Sequence, residues 1–313
     1  MSTPARVAGT MPMQKIPVLS FLALLAGGAA LGFGAIFMRL SDVGPIASAF
    51  WRMALAAPLL WCWAYKVRER DRAAGRSVDF SRVLPWAGLC FGGDMAFWHL
   101  SLHDTSVANA TLLTNFAPVL IALWLWCARG LRFGRVFVAG MGAAACGAML
   151  LVAPDLLSHL GAGRLRGDAL GLLSAGFYAA YQLVIKEARD RYSTARLMAW
   201  STSVTALTLL PLALLSPQPF VPAGAAGWLP LLGLALLAQI GGQTVIAFAS
   251  AHLPPSLSSV GLLIQPLTAT LAAWLIFGEA LGALQIGGGL LLIAGIYLAR
   301  RGSAEPGGGK AVQ

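Results

Sequence analysis

The chain has 313 residues, is 58% hydrophobic and 11% charged, and carries a net charge of +10. Soluble proteins carry about 25% charged residues, so this composition cannot clothe a water-exposed globule. The excess of Lys and Arg lies in short loops between apolar runs, which leaves no folded basic domain to hold nucleic acid.

Ten apolar runs of about 20 residues, enough to cross ~30 Å of hydrocarbon, are predicted at 17–39, 45–65, 83–102, 107–126, 133–152, 168–186, 197–215, 228–251, 256–277 and 282–299. The first is too long for a signal-peptide core. It also carries Gly32-Phe33-Gly34-Ala35, similar to Gly176-Phe177-Tyr178-Ala179 in the sixth run, and is expected to be part of the mature protein. The longest connectors, 66–82 and 153–167, leave no room for a separate soluble domain. Gly28-x-x-x-Gly32 and Gly287-Gly288-Gly289 predict close helix approach within the monomer. Cys62, Cys90, Cys127 and Cys146 lack metal or redox spacing and are expected to pack in the core. Trp61, Trp63, Trp126 and Trp228 lie near run ends and read as interfacial anchors.

Loop charge sets the orientation. With a cytoplasmic N-terminus, 18 of the 22 Lys+Arg lie on the cytoplasmic side, six of them in 66–82, and only Arg164 and Arg166 lie in outer loops. Both termini are therefore expected in the cytoplasm.

The two halves resemble one another at an offset near 148. Pro118 matches Pro266, Phe133-Gly134 matches Leu281-Gly282, Gly140 matches Gly288, and Gly147 matches Gly295. Each half holds five runs, an odd number, so the copies must be inverted. The expected fold is an all-α integral membrane protein: ten transmembrane helices as an inverted 5+5 repeat around a central cavity, with halves 1–160 and 161–313. One half rocking against the other is the motion this layout suggests. Proline frees the carbonyl four residues back, at Thr114 and Leu262, and a freed carbonyl within hydrocarbon needs protein or a wet cavity. Pro118 and Pro266 are therefore expected to break their helices beside a transport site.

Polar residues within the runs mark that site. Asp94 lies in the middle of the third run, where an ionisable group is costly and usually faces a cavity, a partner or a proton path. It reads either as a ligand-ammonium or proton-coupling carboxylate, or as half of an ion pair with Arg52. Thr111, Thr114, Asn115 and Pro118 share one helix face, as do Ser258, Gly261, Leu262 and Gln265. Ser174, Phe177, Tyr178, Tyr181 and Gln182 form a third stripe, and Gln239 and Gln243 a fourth. The expected substrate site comprises Asp94, Trp98, Thr111, Asn115, Tyr178, Tyr181, Gln182, Gln239, Gln243 and Gln265, in a cavity of runs 1, 3, 4, 6, 8 and 9. His99 and His103 read as polar packing or a gate, and no metal or cofactor is expected. Arg39 and Arg52 are expected to snorkel outward, with Asp42 and Asp104 as available partners.

Residues 243–300 resemble the C-terminal repeat of EamA-type transporters of the drug/metabolite transporter superfamily, through Ala247–Leu253, Gln265-Pro266-Leu267, Phe277-Gly278-Glu279 and the glycines Gly287 to Gly295. The first half is similar more loosely, through Pro45, Arg52 and the stretch from His103 to Pro118, and has Arg129-Gly130 where the family has Gly-Glu. The resemblance implies secondary transport by alternating access, commonly export of amino acids or other small metabolites through the bacterial inner membrane, with the lipid bilayer and a small-molecule substrate as partners. Pro118, Pro266 and Glu279 carry over as structural positions. Proton coupling and substrate-driven facilitation both stay open. A channel or sensor, and an intramembrane enzyme, are the alternatives; no catalytic motif supports the enzyme.

Overall fold

A computed structural model describes residues 17–104, 113–158 and 165–304. Among them every regular element is helical: α1 Val18–Leu40, α2 Pro45–Lys66, α3 Arg68–Ala73, α4 Val83–Asp104, α5 Ala117–Arg129, α6 Arg135–Ser158, α7 Leu165–Arg189 and α8 Thr194–Leu215. Next comes one span, Ala225–Ser250, made of a short 3₁₀ turn, α9 Trp228–Gly233, a π-helical segment Leu234–Gln243 and α10 Thr244–Ser250. Helices α11 Pro255–Gly261, α12 Ile264–Phe277 and α13 Ala283–Ala304 complete it. Eight helices are long and apolar enough to cross a membrane, and Ala117–Arg129 is a shorter apolar one.

Polarity is distributed opposite to that of a soluble protein. Leu207, Leu275 and Leu290 are about two-thirds exposed, while Arg52, Asp94, Gln182, Gln239 and Gln243 are buried. Apolar side chains meet lipid, and polar groups satisfy one another within. Of the four cysteines only Cys90 is buried; Cys62, Cys127 and Cys146 face outward on the lipid-facing surface, because a small apolar thiol needs no shelter from hydrocarbon. Trp61, Trp63 and Trp126 are exposed as anchors should be. Trp228 instead packs edge-on against Trp51, with ring centroids 4.8 Å apart.

The main helix pairings join the two halves of the chain. α6 runs along α13, α4 along α7 and α8, α2 along α8, and α1 along the π segment and α12. Glycine sets the closest of these. A Cβ on Gly147 would lie 2.6 Å from the Gly288 carbonyl, and one on Gly140 would lie 2.8 Å from the Gly295 carbonyl. Since Gly140 matches Gly288 and Gly147 matches Gly295, each contact is the other with the halves exchanged, the signature of a local two-fold. Small residues on both helices give the dispersion contact that lipid cannot supply. Two rigid halves rocking against one another would have to separate these interfaces.

Loops segregate to two ends. At one, the Ser77 N–H donates to the Arg191 carbonyl (2.9 Å), Lys186 donates to the Ala251 carbonyl (2.8 Å), and the Arg300 guanidinium lies 4.9 Å from the Phe21 ring centre. At the other, the Ala223 N–H donates to Asp42 (3.0 Å), Gly44 N–H to the Pro219 carbonyl (2.9 Å), and Arg39 pairs with Glu279. The basic loops 66–82 and 186–196 thus share an end opposite to residue 279.

The two spans that carry the matched prolines Pro118 and Pro266 break, while Pro58 and Pro211 lie inside continuous helices. Residues 113–114 are helical, 115–116 form a turn, and α5 begins at Ala117 with Pro118 in its first turn, where the missing N–H is no loss. The second break is at Leu262-Leu263, between α11 and α12. Its expected free carbonyl is not free: Leu262 O accepts from the Gln265 N–H at 3.1 Å, because the chain tightens to a three-residue turn. α5 and α12 end alike on left-handed glycines, Gly130 (φ 62°) and Gly278 (φ 68°). At the 148-residue offset Gly130 matches Gly278, and what the first half lacks is the acid, since Leu131 stands where Glu279 does.

Candidate functional site

The site is assembled around Tyr178 of α7, whose ring packs against three apolar clusters at once. One cluster is formed mainly by α2, α4, α7 and α8. A second is formed mainly by α1, α6, the Ala225–Ser250 span, α11, α12 and α13. The third belongs to α5 and α7. The Tyr178 hydroxyl is buried with no hydrogen-bond partner, and Gln182 and Gln265 are polar side chains facing it beyond bonding geometry.

On the α4–α7 side, Gly93 permits the approach: a Cβ there would lie 2.5 Å from the Phe177 ring. The next residue, Asp94, is buried and accepts a 2.7 Å hydrogen bond from Ser174 Oγ. Ser174 in turn lies 3.4 Å from Thr114 Oγ1, just before the first break. Asn115 sits within that break, its amide nitrogen buried and unpartnered.

Arg52 of α2 does not snorkel. It is 7% exposed, and its Nε donates to Gln239 Oε1 at 3.1 Å. The Gln239 amide passes the chain on to Thr202 Oγ1 at 2.9 Å, and Thr244 Oγ1 donates to the Gln239 carbonyl at 3.2 Å, across one turn of the π segment. The alternative reading of Asp94, an ion pair with Arg52, is not met: among the described residues neither has an opposite charge within 4.0 Å. Arg52 instead lies 5.9 Å from the Phe91 ring centre, and Phe91 stacks on Tyr181 at 4.7 Å. Tyr181 accepts from Gln243 at 3.0 Å and stacks on Tyr178 at 6.2 Å.

The structure therefore joins most of the expected residues, in two groups. Asp94, Asn115, Tyr178, Gln182 and Gln265 cluster where polar atoms lack partners. Tyr181, Gln239 and Gln243 are at most 1% exposed and bonded to one another's neighbours, so they brace the site from behind and line no open water space in this conformation. Trp98 stacks edge-on with His99 at 4.8 Å. His99 bonds the Met95 carbonyl (2.6 Å), as polar packing. Thr111 lies outside the described residues. Ser174, Thr202 and the π segment were not foreseen. Ser174 stood in a polar stripe, which was its only signal; a π turn leaves none in residue periodicity.

A carboxylate, a guanidinium and unpaired amide and phenol groups are thus sealed among lipid-facing helices, at a depth where ionisable side chains are rare and usually functional. A search of family models matches the EamA-like transporter family twice, over residues 18–153 and 165–301. The chain belongs to that family. An uncharacterized transporter of Archaeoglobus fulgidus is 28% identical over 84% of this chain and 91% of its own. A protein described as a probable terminal-alkyne amino-acid exporter, from Streptantibioticus cattleyicolor, is 26% identical over 87% of this chain and 89% of its own. The pseudopaline exporter CntI of Pseudomonas aeruginosa is 27% identical over 60% of this chain and 63% of its own. A crystal structure superposes with TM-score 0.76 at 17% identity, covering 90% of this chain and 97% of the other, which supports the fold alone.

Proposed function

We propose that the protein is a secondary transporter that exports amino acids or related small metabolites across the bacterial inner membrane by alternating access, with both termini cytoplasmic. The reading takes the chain as ten spans in two inverted five-helix repeats, 1–160 and 161–313. The paired breaks at 115–116 and 262–263, at matching positions and flanking one cluster of unpartnered polar atoms, carry it. The self-matching glycine contacts of α6 with α13 support the inversion, and the gathering of basic loops at one end supports the orientation.

The packing also suggests which parts move. α4 lies on α7 much as α1 lies on the π segment, and these pairs correspond when the halves are exchanged. α2–α8 and α6–α13 each exchange onto themselves. The moving bodies are then α4–α5–α7 against α1, the Ala225–Ser250 span and α12, each mixing both repeats. Substrate is moved only if it stabilises the inward- and outward-facing states differently. The probable terminal-alkyne amino-acid exporter among the relatives favours a zwitterionic or amino-acid-derived cargo.

Counterflow in proteoliposomes with a panel of amino acids tests the reading: saturable exchange of at least one is expected, and leakage without saturation would mark a pore instead. Asp94→Asn is expected to abolish any proton-linked component of that exchange. Unchanged proton-linked exchange in the variant removes Asp94 from coupling.

A further inference from the structure

We propose that Arg52 and Asp94 form a two-pole site for a zwitterion, in which the Arg52 guanidinium takes the cargo's carboxylate and Asp94 takes its ammonium. The inference rests on the export reading above and adds the part of the cargo that each pole recognises.

Arg52 has a charge to satisfy and nothing in the described chain that satisfies it. It is 93% buried by its 7% exposure, and its Nη2 is sealed from solvent without an acceptor. Its Nε partner, Gln239, is a neutral amide whose own NH₂ is held by Thr202, so that bond fixes the direction of the side chain and leaves the charge without a direct counter-ion. An unpaired buried guanidinium is expensive. A planar fork of N–H donors is suited to a carboxylate, which it grips with two parallel hydrogen bonds.

Asp94 supplies the other pole. Its one acceptor contact is with the neutral Ser174 hydroxyl, and no Lys or Arg lies within ion-pair distance among the described residues. The two charges are near but apart. Arg52 lies 5.9 Å from the Phe91 ring centre, and Phe91 precedes Asp94 by three residues on α4, about 4.5 Å along the helix axis. Each is within electrostatic reach of the other and of Tyr178 and Tyr181. Opposite charges held beyond bridging distance, with the Phe91 ring beside Arg52, suit a molecule carrying both charges a few bonds apart. A simple anion would satisfy Arg52 and be repelled by Asp94; a simple amine would do the reverse. The unpartnered Tyr178 hydroxyl and Gln182 amide add neutral contacts nearby.

The test pairs each amino acid of the counterflow panel with its α-amide and its decarboxylated amine. With the unmodified protein, removing the carboxylate is expected to weaken apparent affinity about 30-fold or more, the effect of leaving one buried charge unpaired. Arg52→Gln should lose the amino acid's advantage over its amine, and Arg52→Lys should keep part of it. Equal exchange of acid and amine by the unmodified protein overturns the assignment, and needs no variant to fold. So does an Arg52→Gln protein that loses acid and amine exchange by the same factor, because Arg52 then acts only through packing. If the unmodified protein exchanges no amino acid at all, the export reading itself fails; exchange without carboxylate preference fails this inference alone.

Discussion

The two walls that flank Tyr178 descend from matched segments and are built in opposite ways. Gly92-Gly93-Asp94 on α4 reads like Gly241-Gly242-Gln243 in the π segment. On α4 Gly92 admits the Thr208 side chain and Gly93 the Phe177 ring, which leaves Asp94 beside Ser174. In the π segment Gly242 meets backbone: a Cβ there would lie 3.0 Å from the Leu31 nitrogen and 3.1 Å from the Gly27 carbonyl. Gly32, further along α1, lets the Gln265 carbonyl approach to 2.7 Å from where a Cβ would stand. One wall therefore presents the Asp94 carboxylate to facing side chains, and the other is closed main chain against main chain. Stability and chemistry have been assigned to different copies of the same segment, so substitutions on the two walls should fail in different ways.

The largest expected effect lies on the closed wall. Gly32→Val places a branched side chain against the Gln265 carbonyl and Thr268, and should destabilise by about 3 kcal/mol. It is read as a lower thermal midpoint in detergent; a midpoint unchanged from the unmodified protein would mean that α1 and α12 do not meet this closely. The open wall should respond through transport. Tyr178→Phe deletes a hydroxyl that has no partner, so the midpoint should hold while exchange falls about tenfold. Loss of stability without loss of exchange would make the residue a packing element. The smallest effect is expected at the far end, where Arg39 and Glu279 pair while about half exposed. An exposed pair contributes at most ~1 kcal/mol, so Glu279→Gln should raise outer accessibility up to about fivefold. Thiol labelling of a cysteine placed at Gln218, with the four native cysteines replaced, measures it; equal rates would show that the pair does not hold that end.

Much of the fold was legible because hydrocarbon leaves few options. Run length points to eight of the spans and to the shorter apolar helix Ala117–Arg129, and the matched pair Pro118 and Pro266 points to the breaks, whereas Pro58 and Pro211 lie within unbroken helices, so proline alone does not break one. Azimuth was harder to read. Arg52 looked like an outward-reaching arginine because sequence reports depth along a helix better than the side on which a neighbour waits; only the packing of α2 on α8 and the π segment turns it inward to Gln239. Polarity alone points to Tyr181, Gln239 and Gln243 as site residues, yet their burial, the Gln243–Tyr181 bond and the Gln239–Thr202 bond put them behind it. Carbonyl exposure at Leu262 was also misjudged, because a turn can reseal what proline opens.

The interleaving of early and late helices has a consequence for biosynthesis. α2, α4 and α6 find their principal neighbours on α7, α8 and α13, which a ribosome makes only afterwards. The early helices must therefore wait in the bilayer as separate threads, each stable through its own backbone bonding, until the later ones are inserted beside them. Final assembly is thus a late event, in which Arg52 enters its buried position only once Gln239 has been synthesised to receive it.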